Sequence, residues 1–206
     1  VRIGLVAPLG LAYIAAVLEQ NGIEVKILDC VAESSSLIGF SLDLSIISDK
    51  IHTGEIRYGL SDDEIYLKIK RFNPDLVGVS CLFSNKAWDA HNVCRIVKAI
   101  NPEIITVMGG AHPTALPEET LLDRNVDYVV IGEGEPFFAA YAQGEMDFFD
   151  LHKQSHIVYA LNEISQLDKL PLPARHLLNM PKYLYSESPH SGLKRLPVAS
   201  ISTSRG

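Results

Sequence analysis

The chain has 206 residues, 47% of them apolar and 21% charged, a composition that excludes intrinsic disorder for most of it and allows one full core plus an appendage. The formal charge of −7 is unevenly spread: residues 1–150 carry 11 Lys/Arg against 22 Asp/Glu, whereas 151–206 carry 7 against 3, and an acidic body with a basic tail lacking aromatic interleaving excludes a nucleic-acid partner. No apolar run approaches the ~18 residues of a membrane span and no basic-then-apolar leader is present, which predicts a cytoplasmic protein without a span.

Arg2 to Ala7 (RIGLVA) is a short apolar run bounded by Pro8 and Gly10 and reads as a buried strand. Leu11, Ile14, Ala15 and Leu18 recur at helical spacing until Asn21-Gly22 supplies a stop, and Val25 to Leu28 reads as a second strand ending at Asp29. Residues 31–60 interrupt the alternation and satisfy helical and strand templates equally. Order returns at Ser61-Asp62-Asp63-Glu64, a capping box that predicts a helix to about Phe72. Three more strands follow at Asp75–Cys81, Ile104–Met108 and Asp127–Ile131, separated by helical patterns at about 86–100 and 117–123. Nearly continuous apolar strands alternating with helices predict a doubly wound α/β domain with a five-stranded parallel sheet, order 2-1-3-4-5, over residues 1–150. Beyond it, Pro171, Pro173, Pro181, Pro189 and Pro197 punctuate an irregular extension, 151–206.

Ligands of such sheets sit at the carboxyl ends of the strands. The loops to weigh are therefore Pro8-Leu9-Gly10, Ser80-Cys81-Leu82 with Ser84-Asn85, Gly109-Gly110-Ala111-His112-Pro113, and Gly132-Glu133-Gly134-Glu135. Each alone is an ordinary tight turn, but together they gather glycines and small polar groups at one edge, where a missing Cβ admits a ligand. Familiar sites fail at named positions. The first turn holds one glycine, Gly10, instead of G-x-G-x-x-G; no Gly-Lys-Ser/Thr is present; Ser80 stands where a receiver domain needs aspartate; and G-x-S-x-G is missing. Cys30, Cys81 and Cys94 have neither disulfide nor metal spacing, and Cys94 lies on an apolar helix face, where a core thiol is expected. The histidines show no metal-ligand grouping, so no metal site and no catalytic residue are expected.

Ser80-Cys81-Leu82, then 26 residues, then Gly109-Gly110 resembles the cobalamin-binding domain, in which S-x-L ends one strand and Gly-Gly follows the next. P-L-G-L-A-Y at Pro8, R-Y-G-L-S at Arg57, N-P-D at Asn73, G-G-x-H-P at Gly109, D-Y-V-V-x-G-E-G-E at Asp127 and L-P-L-P-A-R at Leu170 extend the resemblance over the chain. Together they are similar to the amino-terminal half of cobalamin-dependent radical S-adenosylmethionine enzymes, the group that includes anaerobic magnesium-protoporphyrin IX monomethyl ester cyclase. The resemblance implies a flavodoxin-like, Rossmann-like fold that binds cobalamin, followed by a radical domain reached through 151–206. Ser202-Thr203-Ser204-Arg205-Gly206 matches the segment that in this family leads into C-x-x-x-C-x-x-C, so a cut just before the [4Fe–4S] and S-adenosylmethionine site is expected, with no activity from this piece alone.

The resemblance also implies roles. Pro8, Leu9, Gly10 and Leu11 would lie under the corrin; Ser80, Leu82, Ser84 and Asn85 would meet the nucleotide tail or its base. Gly109 and Gly110 would let the tail pass, with His112 and Pro113 fixing that loop or touching the tail. Gly132, Glu133, Gly134 and Glu135 would bracket the nucleotide end. Methyl-carrying cobalamin domains place D-x-H-x-x-G after the first strand, whereas this chain has Ala7-Pro8-Leu9-Gly10-Leu11, so a detached base and no histidine on cobalt are expected. Glu133 and Glu135 as a catalytic acid–base pair are disfavoured, since nothing apolar in the sequence surrounds them. The rivals are an interaction module without cofactor, whose only partner is its own neighbouring domain, and a corrinoid methyl carrier without radical chemistry, disfavoured by the missing histidine motif and by Ser204-Arg205-Gly206. Substrate and oligomeric state are open.

Overall fold

A computed structural model describes residues 5–34, 37–38, 41–42, 51–52, 55–56, 59–145, 157–160, 167–184, 196–197 and 199–201. The chain divides into two compact units, residues 1–15, 26–61 and 172–206 in one and 16–25 and 62–171 in the other.

In the first unit, the described part of the expected strand Arg2–Ala7 is not a strand. A turn bond from Leu9 N to Ala7 O (2.8 Å) leads at once into helix α1, Leu9–Gln20. Pro8 accounts for the early switch: it has no N–H to give a ladder, and its fixed φ suits a helix entry. Val25–Leu28 also lies outside any strand, and the segment turns where Asp29 Oδ1 accepts from the amides of Val31 and Ala32 at 3.0 and 2.9 Å. An extended run needs a paired neighbour to be a strand, and among the described residues neither run has one. Within 31–60 the described elements are two minimal antiparallel hairpins, β1 (Leu37–Ile38) with β2 (Ser41–Leu42) and β3 (Ile51–His52) with β4 (Glu55–Ile56).

The described part of the carboxyl-terminal segment in this unit is packed rather than irregular. Ala174 N donates to Ala12 O at 2.9 Å, Lys182 Nζ donates to Ala32 O, and the Tyr183 hydroxyl donates to Asp29 Oδ2 at 2.8 Å. Leu178 and Tyr183 join Ala7, Ala12 and Ala32 in one buried cluster. Burial, reinforced by the Asp29 carboxylate, pushes the Tyr183 phenol well above its ordinary range.

The second unit carries the sheet. Strands β5 (Leu76–Ser80), β6 (Ile105–Gly109), β7 (Tyr128–Gly132) and β8 (Ile157–Ala160) run parallel in that order. The first three are the third to fifth strands expected from the sequence, with the expected neighbours. Among the described residues the parallel sheet thus has four strands instead of five in the order 2-1-3-4-5, and β8 falls beyond residue 150, in the segment read as irregular. Its four residues, IVYA, are too short for a periodic signal, and pairing with β7 from Val129↔Ile157 to Gly132↔Ala160 is what makes them a strand.

Helix α2 (Asp62–Phe72) starts directly after Ser61, the first residue of the capping box, with Asp62, Asp63 and Glu64 in its first turn and Lys70 and Arg71 in its last, both favourable to the helix dipole. It stops at Asn73, whose φ of 54° is the left-handed conformation asparagine tolerates. Helix α3 (Ala87–Ile100) is tied to α2 by Asn92 Nδ2 donating to Asp62 Oδ1 at 2.9 Å. Helix α4 (Ala111–Ala115) and α5 (Pro117–Thr120) follow β6, and α6 (Gly134–Ala142) follows β7. The pattern expected over 117–123 ends three residues early because Asp123 Oδ1 captures the Asn125 amide at 2.9 Å in a turn. Cys81, Ala90, Cys94, Met108, Val126 and Val129 form a buried core between α3 and the sheet. Burial there, with Asp123 and Asp127 nearby, pushes the Cys94 thiol up to about 12, which makes it the inert core thiol expected. No helix among the described residues is long and apolar enough to cross a membrane.

The strands β6 and β7 are registered at their amino ends by a polar cluster. Asp127 Oδ2 accepts from Thr106 N at 2.7 Å and from Lys98 Nζ at 2.5 Å. The Thr106 hydroxyl lies 2.7 Å from Asn125 O and accepts from Asp127 N at 3.0 Å. Thr106 is fully buried, so Thr106→Val keeps the shape and leaves buried polar groups short of a partner. The expected cost is about 1–3 kcal/mol, read from urea unfolding of a variant whose far-ultraviolet spectrum matches the wild type.

Candidate functional site

The sheet aligns the candidate loops. Ser80, the last residue of β5, is the register partner of Gly109, the last of β6, so the S-x-L and Gly-Gly motifs start side by side. Beyond that pair the two backbones stay in close contact: Cys81 N donates to Gly109 O at 2.8 Å, and Cys81 O accepts from His112 N at 3.1 Å. This approach needs Gly110, where φ is +108° and a Cβ would lie 2.6 Å from Cys81 O. A Cβ at Gly109 would meet no atom within 4 Å. The two glycines therefore do different work. Gly110 allows the backbone to pass close to Cys81, and Gly109 leaves open space at the strand end.

Around that space, Ser80, Leu82, Ser84 and Asn85 are exposed, as is Phe83. Ser84 opens a 3₁₀ turn, Ser84–Lys86, that runs into α3. His112 is only 6% exposed, and its Nδ1 lies 3.0 Å from Ser84 Oγ, which joins the two loops through side chains as well as backbone. Pro113, which follows His112, is buried as well. Burial raises the Cys81 thiol, and its Sγ sits 3.5 Å from Phe83 O, so it belongs to the loop's packing.

At the end of β7, Gly132 has φ +89° and its amide N–H donates to Thr114 Oγ1 at 3.3 Å. Thr114 was not singled out from the sequence, although its place directly after Gly-Gly-x-His-Pro was a usable signal. Gly134 and Glu135 are the first turn of α6 instead of loop, and the Glu135 side chain is 3% exposed. The two carboxylates part company: Glu135 is buried at the helix start, and only Glu133 is exposed. Pro8 to Leu11 belong to the other unit, where Pro8 O accepts from Ala12 N at 3.0 Å in the entry to α1. No group of three His, Cys, Asp or Glu among the described residues is placed to hold a metal ion.

The difference between the paired glycines is measurable. Gly110→Ala should lose about 2 kcal/mol or more, through the positive φ and the contact with Cys81 O, whereas Gly109→Ala should stay within about 1 kcal/mol of wild type in the same urea titration.

Comparison with known proteins gives the family. Residues 2–142 match the B12 binding domain family. The chain is 35% identical to cytidylyl-2-hydroxyethylphosphonate methyltransferase of Streptomyces wedmorensis, covering 97% of this chain and 42% of that protein. It is 30% identical to an uncharacterized methyltransferase of Pyrococcus horikoshii, over 97% of this chain and 38% of that one. Similarity to anaerobic magnesium-protoporphyrin IX monomethyl ester cyclase of Rubrivivax gelatinosus is 29%, over 67% of this chain and 27% of the cyclase. The chain spans less than half the length of these curated relatives. With its Gly-Gly turn, its aligned Ser80 and its parallel sheet, the chain belongs to the B12-binding domain family.

Proposed function

We propose that this chain holds cobalamin for a radical S-adenosylmethionine enzyme whose reaction is a methyl transfer or a radical ring closure. The observation that carries the reading is the open face at Gly109, beside the exposed hydroxyl of Ser80 and next to a turn, Gly110, that holds it in place. These residues fit the group: a bare backbone edge accepts a bulky nucleotide tail without a Cβ in its way, and Ser80, Ser84 and Asn85 offer hydrogen-bonding groups around it. When bound, cobalamin supplies a cobalt centre able to carry a methyl group or to exchange an electron. Leu82 and Phe83 offer exposed apolar surface to the cofactor, and Glu133 offers a carboxylate to sugar hydroxyls.

The relatives named as methyltransferases and as a cyclase support the choice of reaction classes. The motif Ser204-Arg205-Gly206 supports a following radical domain with a [4Fe–4S] cluster and S-adenosylmethionine. Residues 1–150 act in this reading as the cobalamin domain, and 151–206 lead to that partner domain. The three free thiols fit a reducing, cytoplasmic setting. A base detached from the cobalt belongs to the same reading. So does the lack of a histidine ligand, since Pro8 to Leu11 bear no coordinating side chain.

The test is to mix the chain with hydroxocobalamin, desalt, and record the visible spectrum. A near-stoichiometric corrin band is expected, and Gly109→Leu should lower the retained fraction at least several-fold with the thermal midpoint held. Absence of any corrin from the folded wild type would refute cofactor binding and favour the interaction module. In the cob(II)alamin form, nitrogen superhyperfine triplets in the electron paramagnetic resonance spectrum would refute the missing axial nitrogen.

A further inference from the structure

The motif L-P-L-P-A-R, which starts at Leu170, has no part in the sheet or in the candidate loops. Its arginine opens a 3₁₀ turn, Arg175–Leu177, that is fastened inside the first unit. Ala174 N donates to Ala12 O at 2.9 Å, Arg175 N donates to Pro173 O at 2.7 Å, and Arg175 O accepts from Leu178 N at 3.1 Å. From this base the side chain reaches 25 residues along the chain, where Nη2 donates to Ser200 O. That bond gathers apolar side chains that stand in solvent. Leu172, three residues before the arginine, is 89% exposed, and Ile201, directly after the carbonyl it holds, is 74% exposed.

Exposed leucines need no explanation singly, but these flank a donor that does. Arg175 Nη1 is buried and makes no hydrogen bond, and no carboxylate among the described residues pairs with the guanidinium. A buried N–H without an acceptor is costly, and more so on a charged group. The planar fork of a guanidinium suits a carboxylate, which it can hold through two N–H groups at once. Large apolar side chains beside an unsatisfied arginine are the make-up of an interface hot spot.

We propose that Leu172, Arg175 and Ile201 form the surface on which the domain following Gly206 docks, with a carboxylate of that domain received by Arg175 and apolar side chains covering Leu172 and Ile201. The position of the patch selects this occupant. Ser200 lies six residues before Gly206, and the two methyltransferase relatives that match 97% of this chain run on well beyond it, since the match covers 42% and 38% of their lengths. A tether that short keeps the next domain at high effective concentration beside the patch. The basic excess of 151–206, 7 Lys/Arg against 3 Asp/Glu, favours an acidic partner. Among the described residues, the bond to Arg175 is the one hydrogen bond of 199–201, so this stretch can shift to admit the carboxylate. The following domain itself rests on the proposed function, whereas the exposed patch and the orphaned donor do not.

The test compares hydrogen–deuterium exchange in this chain and in the complete polypeptide that continues past Gly206. Stretches 172–177 and 199–201 should exchange at least about fivefold more slowly in the longer protein, with helix α2 unchanged as the internal control. The double variant Leu172→Ser, Ile201→Ser should leave the thermal midpoint of the 206-residue chain where it was, and in the longer protein should return both stretches to the rates of the short one. Arg175→Gln, which keeps a side-chain N–H and removes the charge, should also lift protection at 172–177 in the longer protein. Equal exchange in the two proteins, or full protection in the double variant, would overturn the inference, as would a coding sequence that stops at Gly206. A longer protein that neither assembles a [4Fe–4S] cluster nor cleaves S-adenosylmethionine would count against the proposed function, and the exchange comparison would still decide the docking.

Discussion

The backbones that follow β5 and β6 approach closely and stay hydrogen-bonded just past their last ladder pair, and the candidate site depends on that close approach. Cys81 gives its amide to Gly109 and its carbonyl to His112, so both polar groups of one residue are used by the neighbouring loop. A side chain at Gly110 would push the strands' ends apart, because the carbonyl it would strike is the one accepting from His112. With Gly110 in place, His112 is delivered to Ser84, Gly109 is left bare, and Thr114 comes within reach of the end of β7.

The two ends of the sheet are built on opposite principles. At the amino ends of β6 and β7, Asp127, Thr106 and Lys98 satisfy one another in a partly buried cluster whose hydrogen bonds set the register. At the carboxyl ends the residues are small or exposed, and the strands stop at Ser80, Gly109 and Gly132. A rigid end opposite an open one suits ligand binding, since the open edge does not have to organise itself when a ligand arrives. Between them, the buried Cys94 and Met108 belong to the apolar packing on which both ends rest.

The segment after Pro171 changes how the chain's ends relate within the first unit. Tyr183 reaches Asp29 and Ala174 reaches Ala12, so residues far apart in sequence share one buried cluster near the start of α1. Asp29 closes the local turn through one carboxylate oxygen and receives Tyr183 on the other. The prolines that made this stretch read as irregular remove backbone donors, yet they do not prevent side chains and the remaining amides from docking it.

By itself the sequence determined the parallel α/β class, the three strands at 75–81, 104–108 and 127–131, the helix from Ser61 and the motif spacing that brings Ser80 level with Gly109. Those follow from local rules: apolar runs of strand length, a capping box, and a helix-sized interval between strands. The tertiary structure decided what depends on neighbours. Residues 5–7 and 25–28 have strand composition but no ladder partner among the described residues, whereas Ile157–Ala160 has little periodic signal and a complete pairing with β7. It also turned Glu135 inward and assigned the two adjacent glycines different tasks. Burial and close approach are distances between segments remote in the chain, and spacing along the sequence does not carry them.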